Sequence, residues 1–327
     1  MNPLHRGNRR GGLLVAWAAV MSLTHAALAA GLPDANFIFT SRDTVLIVSP
    51  HPDDESLCCA GVMRRALAAN ARVAVVWITG GDAFELDARL VEKRLRPGAV
   101  GLRKLGEIRA GEASRAADAL GIPAANRFML GYPDRGVARL MLDHYFTVYR
   151  SRYTGESNVF LSNAVSPQAP YEGRALTRDL QGVVERLTPT YVFVASPLDA
   201  HPDHRASGEL AVRLMAERAQ LDRVYYWIIH GGFDWPRPRG LHRQEEMTPP
   251  VHARTLPWMR FELTSAEQDA KLAALQAHHS QWEIMKPFLE AFVRRNEMFT
   301  RVALEPDAPV PLLTEETALP ATPPQTP

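Results

Sequence analysis

Two apolar runs, Val45-Leu46-Ile47-Val48 and Tyr191-Val192-Phe193-Val194-Ala195, each lead into a knot of imidazole and carboxylate groups. The first is followed by Pro50-His51-Pro52-Asp53-Asp54-Glu55 and the second by Asp199-Ala200-His201-Pro202-Asp203-His204. A short apolar run without polar alternation reads as a strand buried on both faces, the habit of parallel sheets. Parallel strands bring their carboxyl ends to one edge, where open α/β folds bind ligands, so the two knots can meet although about 150 positions separate them.

The rest of the chain follows that plan. Strands read near 44–49, 72–78, 126–130, 190–195 and 223–229, and helices near 55–69, 103–120, 173–187 and 203–218. Alternation of this kind predicts an α/β fold, a Rossmann-like and mostly parallel sheet with helices on both faces. Additional C-terminal helices follow. Thr264-Ser265-Ala266-Glu267 spells a capping box before one of them, and a second is expected over about 282–301. A nucleotide site would need a glycine-rich turn after the first strand, and Pro50–Glu55 occupies that place.

The composition of the knots points to a metal. Hydrolytic zinc sites take three His or carboxylate ligands and leave one position for water. Pro52 stiffens the first turn, so its polar groups are aimed.

Here the chain resembles the PIG-L or LmbE-like zinc-dependent de-N-acetylases, which act on N-acetylglucosamine-containing glycoconjugates. Their first motif is matched by His51-Pro52-Asp53-Asp54-Glu55 and their second by His201-Pro202-Asp203-His204. Weaker matches are Arg109 and Glu112, Gly131-Tyr132-Pro133-Asp134, and a C-terminal set of Lys271, His278 and Ser280-Gln281, so the likeness spans about residues 43–282. It implies that His51, Asp54 and His204 bind Zn2+, or another divalent ion such as Fe2+, and that Asp53 is the general base. It also implies that His201 stabilises the oxyanion or protonates the departing amine as an imidazolium, with Asp203 setting its orientation and charge. Arg109, Asp134, Gln281 and Asp199 are the expected substrate contacts. In some relatives a tyrosine stands where this chain has Asp199. The implied activity is removal of an N-acetyl group from an amino sugar. A zinc amidase or esterase on a non-sugar acyl group, or a carbohydrate-binding protein without catalysis, are the alternatives.

Residues 1–29 carry Arg6, Arg9 and Arg10, an apolar core from about Leu13 to Leu23, and Ala27-Leu28-Ala29. This predicts a cleavable signal peptide and a periplasmic or secreted product, since the core is too short for a membrane span. Its removal shifts the net charge from +1 to −2, leaving no basic stripe for nucleic acid. Residues 30–304 read as a single catalytic domain. Residues 305–327, with seven prolines in 23 positions, read as a disordered tail. Two long irregular stretches, 80–101 and 131–172, are candidates for a lid or groove, and the aromatics of 231–238 for stacking on a sugar. Cys58 and Cys59 are neighbours on a predicted helix, where side chains diverge by about 100°, so packed thiols are expected rather than a disulfide.

Overall fold

The computed structural model describes residues 31–84 and 98–302. Five strands, β1 (Thr44–Ser49), β2 (Arg72–Thr79), β3 (Arg127–Tyr132), β4 (Tyr191–Ala195) and β5 (Val224–Trp227), form a parallel sheet in the order β3-β2-β1-β4-β5. Burial explains the sequence pattern, because Val45 through Val48 and Val192 through Ala195 are all essentially inaccessible. The chain first builds outward from β1 through β2 to β3 and then crosses to lay β4 on the other side of β1. This reversal puts the ends of β1 and β4 side by side at the topological switch point.

Helices α1 (Asp54–Ala68), α2 (Gly98–Leu120), α3 (Val137–Leu142), α4 (Gly173–Leu187) and α5 (Pro202–Ala216) connect or cover the strands. Helix α5 approaches β4 very closely. A Cβ on Gly208 would fall 2.3 Å from the Ala195 carbonyl oxygen, so this position must be glycine for the start of α5 to lie against the sheet edge. A two-stranded antiparallel sheet, β6 (Met259–Glu262) with β7 (Asn296–Phe299), shields the free edge of β5 through the backbone pair Tyr226 and Thr300. The Phe37 ring fastens the two sheets together, lying 5.6 Å from Phe193, 4.9 Å from Tyr225 and 5.6 Å from Phe261 between ring centroids.

Helix α6 (Ser265–Ala277) begins at the expected capping box, with Thr264 and Glu267 satisfying each other's backbone, and packs on α1 and α2. Helix α7 (His279–Glu290) departs from expectation. A helix over 282–301 was predicted, but α7 kinks at Met285, beside Pro287, and ends at Glu290. The alternating segment Asn296–Phe299 becomes β7 because pairing with β6 buries it. The structure also corrects the cysteine reading: Cys58 and Cys59 form a disulfide within α1. The two side chains turn toward each other within the helix, which an argument from ideal side-chain directions overlooks. It ties no distant segments together.

The expected signal peptide and proline-rich tail lie outside the described residues, as does part of the 80–101 stretch. No helix among the described residues is long and apolar enough to cross a membrane.

Candidate active site

The turn after β1 and the start of α5 bring three donor atoms together. His51 Nδ1 lies 3.2 Å from Asp54 Oδ2, His204 Nε2 lies 3.1 Å from the same oxygen, and the two ring nitrogens are 3.1 Å apart. Donors held about 2.0–2.2 Å from a tetrahedral ion stand roughly 3.3–3.5 Å apart, so this triangle fits one metal ion. All three side chains are buried.

The charge of the site fits too. Burial alone would lower the His51 ring, yet Asp134, Asp203 and Asp54 raise it well above its ordinary value. Burial would likewise lower His204, but Asp199 and Asp54 push it up to about 9. Burial would raise Asp54, but His204 and His51 hold it well below the usual carboxylate range. A buried pocket that draws protons onto two imidazoles is one that demands positive charge. An imidazole and carboxylate donor set suits zinc and other first-row dications.

Each histidine is backed by a carboxylate on its far nitrogen. His51 Nε2 is 3.2 Å from Asp134 Oδ1, and His204 Nδ1 is 3.2 Å from Asp199 Oδ2. Both are ion-pair contacts whose angles depart from a straight hydrogen bond. Such partners fix which nitrogen faces a metal. Sequence reasoning placed Asp134 and Asp199 on the substrate side; the structure puts both behind the histidines, almost fully buried. Asp199 also accepts from the backbone N–H groups of His201, Ile229 and His230, which a tyrosine could not do.

The profile of the family described as GlcNAc-PI de-N-acetylase, PIG-L, matches residues 46–215, more than half of the chain. The chain belongs to the PIG-L family. Among similar proteins are a 1D-myo-inositol 2-acetamido-2-deoxy-alpha-D-glucopyranoside deacetylase of Saccharomonospora viridis, 28% identical over 72% of this chain and 84% of the relative, and a probable N-acetyl-alpha-D-glucosaminyl L-malate deacetylase of Bacillus anthracis, 28% identical over 73% of this chain and 81% of the relative. The solved structure of an A40926 pseudoaglycone deacetylase shares the fold, with a TM-score of 0.51 at 16% identity over 81% of this chain and all of the other. Membership makes the chain a metal-dependent deacetylase, a hydrolase of amide bonds.

In this PIG-L site Asp53 caps α1 with a positive φ of 129°, a conformation that costs a non-glycine residue on the order of 1–3 kcal/mol and persists only where its surroundings enforce it. The enforcement is visible. The Asp53 N–H donates to Glu55 Oε2, and Arg109 donates to the carbonyls of Pro52 and Gly81 while its guanidinium lies 3.7 Å from Asp53 Oδ2. A Cβ on Gly81, whose φ is +67°, would strike that guanidinium at 2.3 Å. The Gln281 amide, oriented to satisfy its neighbours, donates to Asp53 Oδ2 at 3.1 Å and accepts from Arg109. Arg109 and Gln281, expected on the substrate, are therefore buried and brace the carboxylate of Asp53. Burial and then Asp54 raise that carboxyl to about 7 against the pull of Arg109.

His201 caps α5, and its Nδ1 accepts the Asp203 N–H at 3.2 Å, which leaves Nε2 to carry the proton of the neutral ring. Sequence reasoning expected an imidazolium charged by the Asp203 carboxylate. Instead that carboxylate accepts from the N–H groups of Arg135 and Val137, and burial, followed by His51, His204 and His230, holds His201 well below its ordinary value. Asp203 orients His201 through its backbone.

Sequence reasoning left two groups unassigned. Glu55, in the first turn of α1, is fully buried and gathers Trp77 Nε1, Ser49 Oγ, Ser56 Oγ and His278 Nε2 at 2.8–3.1 Å. Lys271 and Glu297 form a buried ion pair at 2.8 Å against α1. Lys271 donates to the Leu57 carbonyl, and Glu297 accepts from the N–H groups of Gly61 and Val62. The signal for both lay in the His278 and Lys271 positions of the C-terminal motif.

Proposed function

We propose that this chain is an exported, zinc-dependent enzyme that removes the acetyl group from an N-acetylglucosamine-type amino sugar in a glycoconjugate. The observation that carries this reading is the donor triangle of His51, Asp54 and His204 with the braced Asp53 beside it. Relatives named for deacetylation of glucosaminyl compounds support the choice of substrate class. The arginines, apolar core and Ala27-Leu28-Ala29 of residues 1–29 support export.

When bound, the ion supplies Lewis acidity, which polarises the acyl group and makes water a nucleophile near neutral pH. Asp53 then takes the proton of the attacking water and returns it to the amine nitrogen as the amide C–N bond breaks, so that acetate and the free amino sugar leave. Its raised pKa gives a carboxylate basic enough for the task, and Arg109 with Gln281 keeps Oδ2 in place. His201 presents its Nε2–H to the amide, where it supports the developing charge. Asp134 and Asp199 hold the ligand rings.

The test is acetate release by zinc-loaded protein from a panel of N-acetylhexosamine glycans, glycolipids and glycosides, with non-sugar amides and esters beside them. Release confined to the non-sugar compounds overturns the substrate class, and none from any compound overturns the activity. Asp53→Ala should abolish turnover while keeping the metal, whereas His204→Ala should lose both.

A further inference from the structure

Four imidazoles, His51, His201, His204 and His230, gather at the site, and only His230 has no task in the chemistry above. It follows β5, with its ring centroid 4.7 Å from His204 and 5.2 Å from His201. One of its nitrogens shares a 4.8 Å neighbourhood with ligand atoms of Asp54 and His204. Its place is fixed on both sides. The His230 N–H donates to Asp199 Oδ2 at 3.0 Å, its carbonyl accepts from Ala200 at 2.9 Å, and its ring stacks on Phe288 with planes 17° apart. The carboxylate that backs His204 therefore also anchors His230.

Everything that holds His230 acts on its backbone or ring face. Among the described residues, none hydrogen-bonds a ring nitrogen of His230 and none forms an ion pair with it, so it stands beside the donor triangle rather than within it. His230 is half-buried. A positioned polar group whose hydrogen-bonding atoms meet no protein partner is suited to a ligand, and stabilisation of a developing oxyanion commonly uses more than one donor.

We propose that His230 is a further catalytic residue, its ring N–H hydrogen-bonding the acyl oxygen of the substrate alongside His201. The assignment rests on the deacetylase reading for its substrate, and its test separates the two.

His230→Ala should lower kcat about 100-fold, the scale of one lost oxyanion donor, with KM within about 3-fold of the parent. His230→Gln, which restores a side-chain N–H, should recover part of the rate. Zinc content should match wild type in both variants. As a readout free of turnover, cobalt-substituted protein is titrated with acetohydroxamate and followed by visible absorption. His230→Ala should bind this probe about 10-fold more weakly, the worth of one charge-assisted hydrogen bond. The starting spectrum should be unchanged.

Unchanged kcat and probe affinity in His230→Ala overturn the proposal. Loss of metal or an altered starting spectrum also overturns it, by making His230 a ligand. If wild type releases no acetate, the deacetylase reading fails, and the probe comparison alone decides His230.

Discussion

Replacing Lys271 by methionine removes one half of a buried ion pair and leaves the other half in place. Lys271 and Glu297 are each about 1% exposed in their side chains. Methionine keeps the apolar stem but deletes two hydrogen bonds from Nζ, to Glu297 Oε1 at 2.8 Å and to the Leu57 carbonyl at 2.7 Å. Glu297 then keeps only the N–H groups of Gly61 and Val62 for a carboxylate that water cannot reach. Removing one partner of such a pair costs about 3–5 kcal/mol. For roughly 260 described residues with unfolding entropy near 2.1 cal/mol/K each, this lowers Tm by about 5–9 °C. Scanning calorimetry at one scan rate, with metal-loaded wild type alongside, measures it. The exposed pair Arg243 and Asp269 supplies the control, since Arg243→Ala should cost about 1 kcal/mol or less. The double variant Lys271→Met with Glu297→Gln should regain part of the loss, because glutamine still accepts from Gly61 and leaves no buried charge. A Tm for Lys271→Met within about 2 °C of wild type, or a double variant less stable than the single one, refutes the reasoning.

Other outcomes follow from the site. Arg109→Met removes the cation that holds the Asp53 carboxyl down from its raised value, so the acid limb of kcat/KM should move up by about one pH unit and the rate loss should be larger at pH 6 than at pH 8. Asp199→Asn and Asp134→Asn should each weaken metal affinity about 10–100-fold in a chelator competition while the fold is retained. Glu55 sits below its ordinary value of 4.5 because His278 and Trp77 outweigh its burial, so its contribution to stability is present above that pH and is lost as pH falls through the folded-state pKa. Glu55→Gln should therefore unfold at lower urea than wild type at pH 7, with the gap closing as the pH falls below 4.5.

The sheet was legible because each of its strands is a short apolar run, and the meeting of His51, Asp54 and His204 because their residue types crowd two strand ends. What the sequence hid was direction. Asp134 and Asp199 are polar residues beside a site whether they face substrate or the back of a histidine, and only the paired positions of β1, β4 and the loops after β3 and β4 decide it. Arg109 and Gln281 were similarly found but misdirected, since their partners, Asp53 and the carbonyls of Pro52 and Gly81, come from other segments. The expected helix over 282–301 passed over the stop signal of Pro287, and pairing with β6 claims Asn296–Phe299.

Strands β1 and β4 meet in only three residue pairs, Val45 with Tyr191, Leu46 with Val192 and Ile47 with Phe193. Beyond them the two chains part to form the halves of the donor triangle. A slip by two residues would keep the pleat in phase and bury the same faces, yet would carry His204 about 6.6 Å along the strand. No triangle with edges near 3 Å survives that displacement. Hydrophobic burial distinguishes poorly between the two alignments, whereas coordination accepts one. A metal held by the triangle would thus act as an inspector of strand alignment, and stripping it should loosen the β1–β4 seam first, visible as faster amide exchange there than at the β1–β2 seam with its six pairs.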